Sequence, residues 1–235
     1  MRVPLVILAL LTLCTGSLKA VVIFGNLAGY TNDGGQGGAG TLVNTSASGQ
    51  YNGKGVGFTM GLTAYDVTSL TLRLNNVNDT AGIDVPTISI YTATSTGVPV
   101  TLVGGFTNPS FTAGSTAANY TFTPASSITL NASTRYVIVV QQLNVSGGVL
   151  QEFNWLNGNG TVTPTGVAST ATAVFGANTA TSSPTLMTGV SSQYNWFELN
   201  GTVSAIPEPG TYAALAGAAS LAFVMVRRSR RQSQP

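Results

Sequence analysis

The chain has 235 residues, only 7% of them charged, and its formal net charge is +2. It contains no histidine, and its one cysteine, Cys14, lies in an apolar run near the N-terminus. These absences exclude a histidine-based catalytic triad, a zinc site built from the usual ligands and an intramolecular disulfide.

The first twenty residues predict a secretory signal peptide. Met1 and Arg2 form a weakly basic start, residues 3–13 are apolar, and Ala20 offers a small residue at a cleavage point. A lipoprotein signal needs a small residue where Leu13 stands, so we assign Cys14 to the apolar core of the signal. We therefore expect a signal helix within residues 1–20 and a mature chain that begins at Val21.

Charge is sparse in the region that follows, residues 21–203. It holds three basic and six acidic residues, a net charge of about −3, so the positive balance of the whole chain comes from its two ends. No basic patch with interleaved aromatic residues occurs, and we expect no nucleic-acid partner. Threonine and valine favour strands, while glycine and asparagine favour turns, so the composition predicts an all-β domain.

Period-two hydrophobic patterns predict strands along this domain. In one of them Val56, Phe58, Met60 and Leu62 are expected to share a face. The glycine-rich stretch at residues 32–40 has a single carboxylate, too little for a tight calcium site, and is predicted to be a flexible loop. About ten short strands separated by turn residues predict an antiparallel β-sandwich, jelly-roll-like in topology. The predicted strands are Val21–Phe24, Val56–Leu62, Val67–Leu74, Val85–Tyr91, Pro99–Phe106, Tyr120–Phe122, Ile128–Leu130, Arg135–Gln141, Val149–Trp155, Ala171–Phe175 and Asn195–Val203.

Several short segments follow one another between residues 53 and 143, namely Val56–Thr59, Val67–Leu74, Ile88–Tyr91, Gly97–Pro99, Tyr120–Thr123, Ile128–Leu130 and Thr134–Val139. In this order they resemble the choice-of-anchor R domain of bacterial surface proteins, although Val137 stands where many members have tryptophan. The resemblance implies a surface domain that is combined with interchangeable anchoring tails. It implies no catalytic residues.

Three aromatic residues, Trp155, Tyr194 and Trp196, are candidates for sugar contacts. They could stack on the faces of sugars, with nearby asparagines hydrogen-bonding the hydroxyl groups. The alternative is that they fill the core, where large aromatic side chains supply much of the buried surface. We favour the core.

Glu152 and Glu198 are the candidate pair of carboxylates that a glycosidase would need. Each stands beside aromatic residues, but with six acidic residues in the domain two exposed carboxylates on strand faces could arise by coincidence. We favour the second explanation and expect no enzymatic activity.

The tail, residues 204–235, combines three features. Pro207, Glu208 and Pro209 form a segment that the prolines keep extended. An uncharged apolar run over residues 212–226 favours a helix, and it ends at the cluster Arg227, Arg228, Arg230 and Arg231. Such a basic cluster stays on the cytoplasmic side of a membrane. The run is shorter than the roughly 20 residues of a stable span, which suits a helix held in the membrane only until processing.

These three features, in this order over about residues 204–232, resemble the PEP-CTERM sorting signal of Gram-negative bacteria. The resemblance implies recognition by an exosortase, a transpeptidase-like membrane enzyme, with cleavage near Pro207, Glu208 and Pro209. It also implies delivery to the cell surface or extracellular matrix. The alternative is an ordinary C-terminal membrane anchor, which has no need of the Pro-Glu-Pro segment.

The sequence thus leads to one main hypothesis and one alternative. The first is an exported, non-enzymatic surface or matrix protein, associated with exopolysaccharide and sorted by exosortase, with no metal or cofactor. The alternative is a polysaccharide-binding module that uses Trp155 and Trp196. Exposure of the two indole rings distinguishes them.

Overall fold

The computed structural model describes residues 19–31, 40–44, 53–75, 77, 86–112, 116–141, 151–157, 162–175, 194–204 and 217–221. The chain divides into two compact units, Met1–Val203 and Ser204–Pro235. We refer to them as the body and the tail.

The described part of the body consists almost entirely of antiparallel strands. A short 3-10 helix at Leu27–Gly29 follows the first strand. The strands are β1 (Val21–Gly25), β2 (Gly40–Asn44), β3 (Gly53–Thr59), β4 (Tyr65–Asn75), β5 (Thr87–Ala93), β6 (Pro99–Thr107), β7 (Ala118–Pro124), β8 (Thr129–Leu130), β9 (Arg135–Gln141), β10 (Gln151–Trp155), β11 (Ser169–Phe175) and β12 (Phe197–Val203). The predominantly β, antiparallel fold that the sequence predicts is confirmed.

The strands form one hydrogen-bonded path, in the order β1-β12-β4-β7-β6-β5-β9-β3-β11. Strand β10 adds to β4 and β2, and β8 adds to β4. The connection between β6 and β7 consists of two residue pairs, Phe106 with Pro124 and Thr107 with Thr123. The strands on both sides of this narrow connection contribute to one core. The division into two sheets of a sandwich, and the jelly-roll topology, remain predictions.

Strand β4 shows how the sequence produces this core. Leu70, Leu72 and Leu74 are fully buried, whereas Thr71 and Arg73 between them are only partly buried. Successive strand residues point to opposite faces, so the alternation places one face against the core and leaves the other polar. Strand β9 differs because both of its faces are apolar and buried, as its continuous valine and isoleucine sequence indicates.

Aromatic rings from distant parts of the chain meet in the core. Phe24 lies 5.5 Å from Phe58 and 5.6 Å from Phe197, measured between ring centroids. Phe197 also meets Trp155 edge-on at 6.2 Å. The first and last strands of the body thus share a core, and they pair directly, with Val21 opposite Gly201. The core is therefore complete only when both β1 and β12 are in place.

One expected strand position is wrong. Val56, Phe58 and Met60 are buried as predicted, but Leu62 is 92% exposed. Strand β3 ends at Thr59, and the chain then turns, with Met60 N donating to Thr134 O and Ser133 N donating to Gly61 O. The hydrophobic alternation in the sequence therefore continues beyond the end of the strand, through Met60 to Leu62.

Gly166 occupies a backbone conformation that favours glycine, with φ at +150°. A Cβ atom at this position would lie 2.3 Å from Ile23 O, because residues 165–168 run along β1. The missing side chain allows this close approach of two backbones.

The two predicted terminal helices lie largely outside the described residues. Of the signal peptide, only Lys19 and Ala20 are described. In the tail, residues 217–221 are helical, within the run where the sequence favours a helix. None of the described helical residues belongs to a helix of the length and apolar character that would cross a membrane.

Candidate functional site

The tail residues that would be read by a sorting enzyme are Pro207, Glu208 and Pro209. They and the four arginines at 227, 228, 230 and 231 lie outside the described residues, as does the glycine-rich stretch at 32–39. The sorting motif is therefore supported by its sequence alone. In the body, Trp155, Tyr194, Trp196 and Glu198 lie among the described residues, whereas only the backbone of Glu152 does.

Trp155 and Trp196 lie in the interior, with 0% and 1% of their surface exposed. Trp155 Nε1 donates a hydrogen bond of 2.9 Å to Trp196 O. The Trp196 ring meets Tyr30 edge-on at 5.5 Å, and the Arg73 guanidinium lies 4.3 Å from the centre of the Tyr30 ring. Neither indole ring is open to solvent, so neither can stack on a sugar in this conformation. Both fill the core, the role that the sequence analysis favours.

Tyr194, the third candidate, is half-buried and packs against the same core. Burial raises the pKa of its hydroxyl above the ordinary value, because a phenolate loses solvation there. The three aromatic candidates therefore form no exposed platform.

Two buried amides hold this region together. Asn26 Oδ1 accepts from Phe197 N at 3.0 Å, and Asn26 Nδ2 donates to Val162 O at 3.2 Å. Asn195 Nδ2 donates to Trp155 O. Each amide hydrogen-bonds the backbone of segments distant in the sequence, which is a structural role.

The candidate carboxylates are not both visible. Glu198 lies on β12 opposite Thr71, and Asn200 Nδ2 donates to Glu198 Oε1 at 2.9 Å. The backbone of Glu152 pairs with Val43, but its side chain lies outside the described part of the structure. The absence of a glycosidase pair therefore remains a prediction. Within the described residues, no group of three or more acidic residues could hold a metal ion.

Lys54 is a buried cation that the sequence analysis did not single out. It is 8% exposed. Side chains two residues apart in a strand point to the same face, so Lys54 lies on the core side of β3 together with Val56 and Phe58. Burial lowers its pKa from 10.5 to about 8. The position two residues before a strictly alternating apolar pattern is the signal that could have identified it.

A groove beside β7 is the second feature that the sequence analysis missed. The cavity has a volume of about 600 Å³ and is lined by the side of β7 and by the segments before it, with Ser110, Thr112, Thr116, Asn119, Tyr120 and Thr121 contributing polar groups. The only sequence signal is a run of serine and threonine between two strands, which also describes an ordinary loop.

The comparisons with known proteins find a match for the tail. Residues 205–231 match the PEP-CTERM protein-sorting motif. A chain with this motif is exported and processed at the membrane by an exosortase, so the prediction of a sorting signal is confirmed. No curated protein and no solved structure matches the chain significantly. The resemblance of residues 53–143 to the choice-of-anchor R domain finds no support.

Proposed function

We propose that the protein is a non-enzymatic component of the cell surface or extracellular matrix of a Gram-negative bacterium, where it associates with exopolysaccharide. The match of residues 205–231 to the sorting motif carries this proposal. The body is the cargo, and the tail determines where it goes.

The chemistry of the two ends of the chain explains the proposed steps of export and sorting. The signal peptide at residues 1–20 starts export, and the apolar run at 212–226 holds the chain in the membrane. The four arginines keep the C-terminus in the cytoplasm, because moving guanidinium groups across the bilayer is costly. This orientation places Pro207, Glu208 and Pro209 on the outer side of the membrane. Exosortase cleaves the chain near these residues and releases the body from its helix.

The body suits a hydrated, sugar-rich environment. Its charge is sparse, and the outward side of β4 and β7 carries hydroxyl and amide groups. The Oγ1 atoms of Thr71 and Thr121 are 3.0 Å apart across the two strands. Arg73 Nη1 donates to Asn119 Oδ1 at 3.2 Å. Such groups exchange hydrogen bonds with water and sugars at little cost. The absence of histidine from the chain removes the commonest general base and supports a role without catalysis.

Fractionation of the native host tests the destination. Cells with and without exosortase are separated into membrane, soluble and exopolysaccharide fractions, and the protein is followed with an antibody against the body. The proposal requires the protein in the exopolysaccharide fraction of cells with exosortase and in the membrane fraction of cells without it. A processed protein found only in the soluble medium, with none bound to polysaccharide, would contradict the proposed association.

A further inference from the structure

The groove lies beside β7, a strand whose second edge is largely unpaired among the described residues. Residues 118–122 pair with β4 along one edge, from Ala118 opposite Leu74 to Phe122 opposite Leu70. On the other edge β7 meets β6 only through its last two residues. Among the described residues, no strand pairs with the remainder of that edge, and Ala118, Asn119, Tyr120 and Thr121 of β7 line the groove.

An aromatic residue in the segment that follows β6 packs against β7. Phe111, which is buried, meets the Tyr120 ring edge-on at 5.1 Å and lies 6.1 Å from Phe122. Tyr120 Oη donates to Thr112 O at 3.4 Å. The segment that follows β6 is thus attached to β7 at two points. These contacts position Ser110 and Thr112 beside β7 before any ligand binds, which lowers the entropic cost of binding at these two residues.

The polar groups of the groove are neutral and available. Ser110, Thr112 and Thr116 are exposed, and no described residue hydrogen-bonds their hydroxyl groups. Arg73 can only donate, so the Asn119 atom it contacts is the oxygen, and Nδ2 remains as a donor. The described residues that line the groove include no Asp, Glu, Lys or Arg.

We propose that this groove binds a short segment of a neutral polysaccharide. Each hydroxyl of the groove can donate and accept, as each sugar hydroxyl does, so the two surfaces are chemically complementary. The volume of about 600 Å³ lies within the range of about 300–1,000 Å³ that is typical of small-ligand sites. A peptide added to the edge of β7 is the alternative occupant. We favour the sugar because five of the eight described residues that line the groove carry a hydroxyl group. The inference rests on the proposed association with exopolysaccharide and names the site responsible for it.

Titration with oligosaccharides tests the site. The isotopically labelled protein is recovered from its host, and the probes are neutral oligosaccharides prepared by partial hydrolysis of the host exopolysaccharide, with the acidic fraction as a comparison. NMR shifts are expected at Ser110, Thr112, Thr116 and Asn119 with the neutral fraction. The double variant Thr112→Val/Thr116→Val keeps the shape, loses two hydrogen-bonding groups and should bind about tenfold more weakly. Thr170→Val, at an exposed threonine of β11, is the matched control and should bind like the wild type.

Three outcomes overturn the proposal. Equal affinity of the double variant and the wild type, with unchanged folding by NMR, shows that the sugar binds elsewhere. Shifts at the groove that follow protein concentration rather than oligosaccharide show that the edge of β7 pairs with another chain. No binding at all, for a protein that nevertheless fractionates with exopolysaccharide, removes the groove and leaves the proposed function. Absence from that fraction contradicts the proposed function itself.

Discussion

Four arginines lie within residues 227–231 of the tail, whereas the body from Val21 to Val203 has three basic residues in all. The tail carries its information in a short linear order of Pro-Glu-Pro, apolar run and basic cluster. The body depends on pairing between distant residues, such as Val21 with Gly201. From this difference we expect a local change in the tail to alter sorting without affecting the fold of the body. In the body, the same kind of change should affect stability without altering the destination.

The largest effect is expected in the tail. The triple variant Pro207→Ala/Glu208→Ala/Pro209→Ala removes the segment that we propose exosortase reads, so the cleaved form should disappear. An immunoblot that separates the full-length and cleaved forms measures this, and the thermal midpoint of the body should not change. Pro235→Ala, outside the matched residues 205–231, is the control and should be cleaved normally. Normal cleavage of the triple variant would show that other tail features suffice.

The converse change belongs in the core. Phe197 is fully buried between Phe24 and Trp155, and Phe197→Ala should lower the free energy of unfolding by about 3–5 kcal/mol through lost burial and a cavity. Val203→Ala, in the same strand but 42% exposed, should change it by about 0.5 kcal/mol or less. Urea unfolding measures both. Similar losses for the two variants would contradict the position of Phe197 in the core.

Lys54 predicts a pH dependence that the tail cannot produce. Its pKa falls from 10.5 in the unfolded chain to about 8 in the body, so the unfolded state binds more protons between these values. The free energy of unfolding should therefore rise with pH across this window, by up to about 3 kcal/mol. Below pH 8 the cost of burying the charge is fully present. Urea midpoints between pH 7 and 10, compared with Lys54→Met, isolate this residue, because the tyrosines titrate in both proteins. Parallel pH curves would contradict the burial of the ammonium group.

The two tryptophans provide the smallest and most selective comparison. Trp155 Nε1 donates to Trp196 O at 2.9 Å, whereas Trp196 Nε1 is buried with no hydrogen-bond partner among the described residues. Each Trp→Phe change removes a similar volume, but only Trp155→Phe also removes a hydrogen bond. Trp155→Phe should therefore be the more destabilising by about 1 kcal/mol, measured by urea unfolding. A larger loss for Trp196→Phe would mean that its indole N–H has a partner.

The sequence predicted the parts of this protein that depend on local patterns. The alternation of Leu70, Leu72 and Leu74 marked a strand face, and the tail motif needed no structure at all. Leu62 was misplaced, because the alternation does not show where hydrogen bonding to a neighbouring strand stops. The pairing of β1 with β12 and the open edge of β7 depend on contacts between distant segments. The groove could not be predicted for this reason.

The central claim is that the tail is a sorting signal removed by exosortase. The most direct test is the mass of the mature protein, measured by mass spectrometry on protein recovered from the native host with and without its exosortase. We expect a C-terminus near Pro207, Glu208 and Pro209 when the enzyme is present, and a chain that retains residues 227–231 when it is absent. An intact tail in both strains, with the protein still in the membrane, would contradict this account and identify an ordinary membrane anchor.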